Sequence, residues 1–85
     1  MTTHAHKSHP QITARLKRAH GHLAKVITML EDQAPCTDIA QQLFAVEKAL
    51  TNAKRALIHD HVDHCLSSET DDDGVEDFKT ITKYL

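Results

Sequence analysis

The residues best suited to chemistry lie near the end of a long segment with regular apolar spacing, in the pattern His61-x-x-x-Cys65. On a helix, side chains four residues apart share one face and lie about 6 Å apart. Neutral imidazole and thiolate are good ligands for late first-row metals. The spacing therefore predicts part of a metal site. The alternative is that Cys65 is a small buried apolar residue, as cysteines on amphipathic helices often are.

Cys36, the other cysteine of the chain, is expected at the opposite end of the same helix. If that helix is straight, the two cysteines lie about 40 Å apart and cannot bind one metal ion within a single chain. In an antiparallel dimer, however, Cys36 of one chain would lie beside His61 and Cys65 of the other. The geometry predicts an intersubunit metal site, present twice in each dimer.

Three helices are expected to position these residues, because apolar residues recur at spacings of three and four. Residues 1–9 are expected to form a polar, His-rich arm, and Ser8 near its end is expected to cap a first helix over 10–33. Pro35 interrupts the pattern, and Thr37 or Asp38 can cap a second helix over 37–66. An acidic linker then leads to a short third helix over 74–84. The pattern contains no strand signal.

The second helix carries a heptad seam at Ile39, Leu43, Val46, Leu50, Ala53 and Leu57. Such a seam favours long helix–helix packing. The chain has 85 residues, no Trp and only three other aromatic residues, so it forms a single domain (1–85) with a thin core. A second chain is expected to complete the packing as an antiparallel four-helix-bundle dimer.

Composition excludes several classes of protein. Two cysteines cannot build a disulfide framework, and no apolar run approaches the roughly 18 residues of a membrane span. The start of the chain lacks the apolar region of a signal peptide, so a cytoplasmic location is expected. The sequence shows neither a Gly-rich phosphate loop nor paired carboxylates in a plausible pocket, and an enzyme is not expected.

Charge is unevenly distributed along the chain. Residues 1–25 carry five basic residues and no acidic one, although the whole chain has a formal net charge of −2 with neutral histidines. This asymmetry indicates an anionic partner, or a solvated helix face.

Several ordered motifs resemble the CsoR/RcnR family of metal-sensing transcriptional repressors. They are the segment RLKRAHGHL at 15–23, the junction at Cys36, the segment QQLFAV at 41–46, and His61-x-x-x-Cys65. The resemblance covers nearly the whole chain. It implies an all-α, disc-shaped homotetramer built as a dimer of dimers. Such a tetramer binds operator DNA in the metal-free state and releases it on binding metal, which derepresses an efflux operon.

The resemblance also implies the metal ligands Cys36, His61 and Cys65. Nickel and cobalt sensors add a nitrogen from the N-terminal arm, here matched by His4, with His6 and His9 as alternatives on the arm. His64, on the second helix, is a further candidate ligand. The His-rich arm favours Ni(II) or Co(II). Pro35 replaces the tyrosine that copper sensors carry before the first cysteine, and Asp77 only approximates their glutamate. The alternatives are a Cu(I) sensor and a metal-buffering bundle without DNA binding.

DNA contacts are expected from basic side chains on the first two helices. Arg15 and Arg55 match positions that family members use, and four further basic residues extend the same surface: Lys17, Arg18, Lys48 and Lys54. Neutralisation of phosphates by these residues predicts a steep salt dependence of operator binding.

Overall fold

The computed structural model describes residues 8–67 and 72–85, without the side chains of 64–67, 72–75 and 77. Within these ranges the chain forms three α-helices and a short 3-10 helix, and it contains no strand. The helices are α1 (His9–Glu31), α2 (Cys36–Ser67) and α3 (Asp72–Ile81), and the 3-10 helix covers Thr82–Tyr84. The prediction of an all-α protomer is confirmed.

An antiparallel hairpin of α1 and α2 forms most of the protomer. One row of apolar residues on each helix is buried between the two, and its members recur every seven residues: Ile12, Ala19 and Val26 on α1, and Ile39, Val46 and Ala53 on α2. Val26, Ile39 and Val46 form one cluster near the connection between the helices, against which Met29 and Ala34 pack. The heptad seam predicted on α2 is thus only half used within the protomer.

The other half of the seam remains exposed. The leucines four residues after each buried position keep about two fifths or more of their surface accessible: Leu16, Leu23 and Leu30 on α1, and Leu43, Leu50 and Leu57 on α2. Because antiparallel helices turn in opposite senses when viewed from one end, the same offset brings both leucine rows to one side of the hairpin. We call these six residues the leucine face.

A Schellman motif ends α1. The amide of Gln33 donates to the carbonyl of Leu30 at 3.1 Å, and the amide of Ala34 donates to the carbonyl of Met29 at 2.9 Å. Gln33 has φ 58°, the left-handed conformation in which glycine is usual at this position. Helix α2 begins at once, with the amide of Ile39 bonded to the carbonyl of Pro35. Thr37 and Asp38 therefore lie inside the first turn and do not cap it.

Ser8 occupies the N-cap position of α1 without capping it. Its backbone has helical angles, φ −80° and ψ −17°, instead of the extended conformation that directs a cap side chain towards the first turn. The hydroxyl makes no capping bond and is buried without a hydrogen-bond partner among the described residues. The expected capping function of Ser8 is therefore wrong.

Helix α3 packs against α2, and the molecule is elongated. It measures 55 × 22 × 17 Å, with a radius of gyration of 17.1 Å, whereas a compact domain of this length has a radius of gyration of about 12 Å. A hairpin this thin cannot enclose a core on all sides, which is why the leucine face remains uncovered. None of the described helices is both long and apolar enough to cross a membrane.

Candidate metal centre and nucleic-acid interface

The candidate metal ligands Cys36 and His61 lie near opposite ends of α2. Cys36 is the first residue of the helix, with a free and exposed thiol. His61 lies 25 positions later and is half-buried, so the two residues are separated by about 38 Å along a straight helix. The described part of the chain contains no group of three potential ligands. A single protomer therefore does not bring these two residues together.

His61 lines a cavity where α2 meets the C-terminal segment. This cavity has a volume of about 440 Å³, and its walls are mostly apolar: Lys54, Leu57, Ile58, His61, Thr80, Ile81 and Tyr84. An apolar shell around a ligand limits access of water and lowers the local dielectric. Lys54 is exposed and also lines this cavity, and its predicted contact with DNA stays a prediction.

The remaining candidate ligands lie partly outside the described residues. His4 and His6 fall there entirely, whereas His64 and Cys65 lie on α2 without described side chains. His9 is the first residue of α1 and is exposed. Because the hairpin is antiparallel, α1 begins at the end of the molecule where α2 approaches His61. The direction of the chain thus agrees with a metal ligand supplied by the N-terminal arm. That the arm supplies such a ligand stays a prediction.

Two of the six predicted DNA contacts lie together in a cleft between α1 and α2. This cleft has a volume of about 300 Å³ and is lined by Arg15, Arg18, Ala19, His22, Ala49 and Asn52. We call it the arginine cleft. Ala19 is itself a buried core residue. The other members lie three or six positions after a buried core residue, on the side of the hairpin opposite the leucine face. Self-association through the leucine face would therefore leave the arginine cleft accessible.

The other four predicted DNA contacts do not line this cleft. Lys48 and Arg55 are exposed one heptad apart on the outer side of α2. Lys17 is exposed on α1, about 200° around the helix from Arg15, and therefore faces a different direction. Of the six residues, only Arg15 and Arg18 line the arginine cleft, and a DNA surface that includes the other four stays a prediction.

A hydrogen bond across the hairpin holds His22 in the arginine cleft. Its Nε2 atom lies 2.6 Å from Oε1 of Gln42 on α2. His22 is not among the functional residues predicted from the sequence. Its spacing nevertheless indicates a shared site, because His22 lies four residues after Arg18 and seven after Arg15, on one face of α1.

Comparison with known proteins identifies relatives of this chain. A family model described as "Metal-sensitive transcriptional repressor" matches residues 8–85. The copper-sensing transcriptional repressor CsoR of Mycobacterium ulcerans (strain Agy99) is 46% identical over 54 residues, which cover 64% of this chain and 46% of the relative. CsoR of Bacillus subtilis (strain 168) is 39% identical over 61 residues, covering 72% and 60%.

A further relative, the copper-sensing transcriptional repressor RicR of Mycobacterium tuberculosis (strain ATCC 25618 / H37Rv), is 30% identical over 60 residues. That alignment covers 71% of this chain and 62% of RicR. The matched region thus spans about half to three fifths of the length of these relatives. No solved structure matches the chain. The relatives are named as repressors, which agrees with the expectation of a non-enzymatic protein. Because the family model matches residues 8–85, the chain belongs to the family of metal-sensitive transcriptional repressors.

Proposed function

We propose that this protein binds operator DNA in its metal-free form and releases it when Cu(I) binds. Cys36 of one chain, together with His61 and Cys65 of a second, would hold the ion. The observation that carries the proposal is the location of Cys36 and His61 near opposite ends of one continuous helix. An antiparallel partner brings such ends together, and the exposed leucine face offers the surface for that partner.

The donor set supports copper. Soft thiolate ligands select Cu(I), and imidazole is also a suitable ligand. The cited relatives are named copper-sensing, whereas the nickel/cobalt interpretation rests on the His-rich arm and gains no support from them. Copper therefore replaces nickel and cobalt as the preferred metal.

Homotetramer formation, as a dimer of dimers, belongs to the same proposal. Each protomer exposes a row of leucines on both long helices, and burial of each leucine would contribute about 2 kcal/mol. Bound metal would then fix the ends of two antiparallel α2 helices relative to each other. The resulting change in the relative positions of the basic residues would lower the affinity for DNA.

Fluorescence anisotropy of labelled DNA from immediately upstream of the gene tests the proposal. The reduced protein is bound under anaerobic conditions, and Cu(I) or Ni(II) is added in separate titrations. We expect Cu(I) to weaken DNA binding by about 5- to 150-fold, the usual range of allosteric coupling. His61→Ala should abolish this response, whereas His59→Ala, an exposed histidine on the same turn, should retain it.

The other outcomes are equally informative. Release by Ni(II) alone would overturn the copper assignment and restore the nickel/cobalt interpretation, with His4 as the next residue to test. If the protein binds metal but not this DNA, the proposed repression is wrong at this operator and a metal-buffering bundle is favoured.

A further inference from the structure

The arginine cleft has the features of an anion site. Two small residues, Ala19 and Ala49, leave space between the helices, and Arg15, Arg18 and His22 surround that space from α1. Helix α2 adds the neutral side-chain amide of Asn52 to the lining of the cleft. No carboxylate is among the described lining residues, so nothing there offsets the two guanidinium charges. Guanidinium groups match the geometry of phosphate oxygens.

His22 differs from the two arginines in that its charge depends on protonation. With Oε1 of Gln42 as the acceptor at 2.6 Å, Nε2 must carry a hydrogen in both protonation states. The ring therefore gains its proton at Nδ1. The ionisable groups that line the cleft around it are Arg15 and Arg18 on α1, and the α2 lining is neutral.

An anion bound in the cleft favours protonation of His22, because a phosphate beside the ring stabilises the imidazolium ion. Binding of phosphate and uptake of a proton at His22 are then linked, since each favours the other.

We propose that the arginine cleft binds a phosphate of the operator backbone, with His22 as a third, proton-dependent cation beside Arg15 and Arg18. The inference rests on the proposed function and adds regulation to it. Because the imidazolium is the form that binds phosphate best, operator affinity rises as the pH falls across the range in which histidine titrates. Asn52 contributes a neutral hydrogen-bond donor from the opposite wall.

The first test compares operator affinity at about pH 6 and about pH 8 in the wild type, His22→Gln and His20→Gln. Glutamine is always neutral, and its amide can still donate to Gln42, so the hairpin should keep its fold. His20 is an exposed neighbour outside the cleft. Between the lower and the higher pH, we expect the loss of operator affinity to be about tenfold larger in the wild type and in His20→Gln than in His22→Gln. A factor of about ten corresponds to a difference of about one pKa unit between the free and the DNA-bound states.

The second test follows the ring protons of His22 and His20 by NMR during pH titrations of metal-free protein. The titrations are made alone, with inorganic phosphate, and with a short duplex of unrelated sequence. We expect the duplex to move the titration midpoint of His22 to higher pH and to leave that of His20 in place.

Failure of the inference and failure of the repressor proposal give different results. If the operator binds with the same pH dependence in the wild type and His22→Gln, and no midpoint moves, the inference is wrong while repression is unaffected. If the operator does not bind but the duplex still moves the His22 midpoint, the cleft is a DNA phosphate site and repression at that operator is wrong. A response to inorganic phosphate but not to the duplex would overturn the DNA assignment in favour of a free anion.

Discussion

The ring of His22 on α1 and the side-chain amide of Gln42 on α2 lie 2.6 Å apart across the helical hairpin. Both side chains are half-buried, so each loses part of its contact with water when the helices pack. The hydrogen bond replaces that lost contact and fixes the orientation of His22 in the arginine cleft. A polar pair thus joins two helices whose other described contacts are mainly apolar.

Removal of the acceptor should destabilise the hairpin. We expect Gln42→Ala to lower the free energy of unfolding by about 1 kcal/mol relative to Gln41→Ala, because a partly buried imidazole loses its partner. Gln41 is exposed on the same helix, so both substitutions change helix propensity equally. Thermal unfolding at one fixed protein concentration measures the difference. Equal stability of the two variants would show that water replaces Gln42 without cost.

A substitution in the connection between α1 and α2 should increase the stability of the protein. Gln33 has φ 58°, a conformation that costs an L-residue about 1–2 kcal/mol and costs glycine little. Glycine also increases the entropy of the unfolded chain, so we expect Gln33→Gly to stabilise the protein by a net value of about 0.5–1 kcal/mol.

Gln41→Gly is the matched control for this change. It makes the same replacement at an exposed site inside α2, where glycine should destabilise by about 1 kcal/mol. Denaturant unfolding gives both values. A loss of stability in both variants would contradict the interpretation of the connection.

The leucine face should mediate self-association. Leu50 is 45% exposed in the protomer, and its replacement by Glu would place a charge in the expected interface. We expect Leu50→Glu to raise the dissociation constant of the assembly by at least about 30-fold, the equivalent of about 2 kcal/mol for one buried leucine.

Analytical ultracentrifugation over a range of concentrations measures this effect. Gln41→Glu introduces the same charge on the exposed outer side of α2 and should leave the assembly intact. Association of Leu50→Glu with wild-type affinity would exclude the leucine face as the interface.

The metal site should be shared between chains. A Cys36→Ala chain and a His61→Ala chain each lack one expected ligand, and a mixed dimer contains one complete site. Random mixing should restore about one quarter of the wild-type number of sites, because about half of the dimers are mixed and each has one site of two. Cu(I) titration of the pure variants and of the refolded mixture measures this number. A mixture with no more strong sites than its components would contradict the cross-chain geometry.

Sequence periodicity predicted the three helices, because apolar residues at heptad spacing form a continuous apolar face in few structures other than a helix. It could not divide the seam into its two halves, since Leu43 and Val46 are equally apolar and only the protomer structure decides which row faces α1. The left-handed conformation at position 33 could not be predicted, because the sequence has Gln33 there and not the glycine that usually indicates it. The position of Cys36 and His61 on one helix followed from the sequence, whereas the His22–Gln42 contact depended on the register of the hairpin.

The unbroken length of α2 has a consequence for the metal concentration at which such a sensor would respond in a cell. If every complete site needs ligands from two chains, dissociated chains bind the ion weakly, and binding is linked to association by mass action. The concentration of metal needed for a response would then depend on the number of copies of the protein. A change in expression level alone would shift the threshold, without any change in the residues that hold the metal.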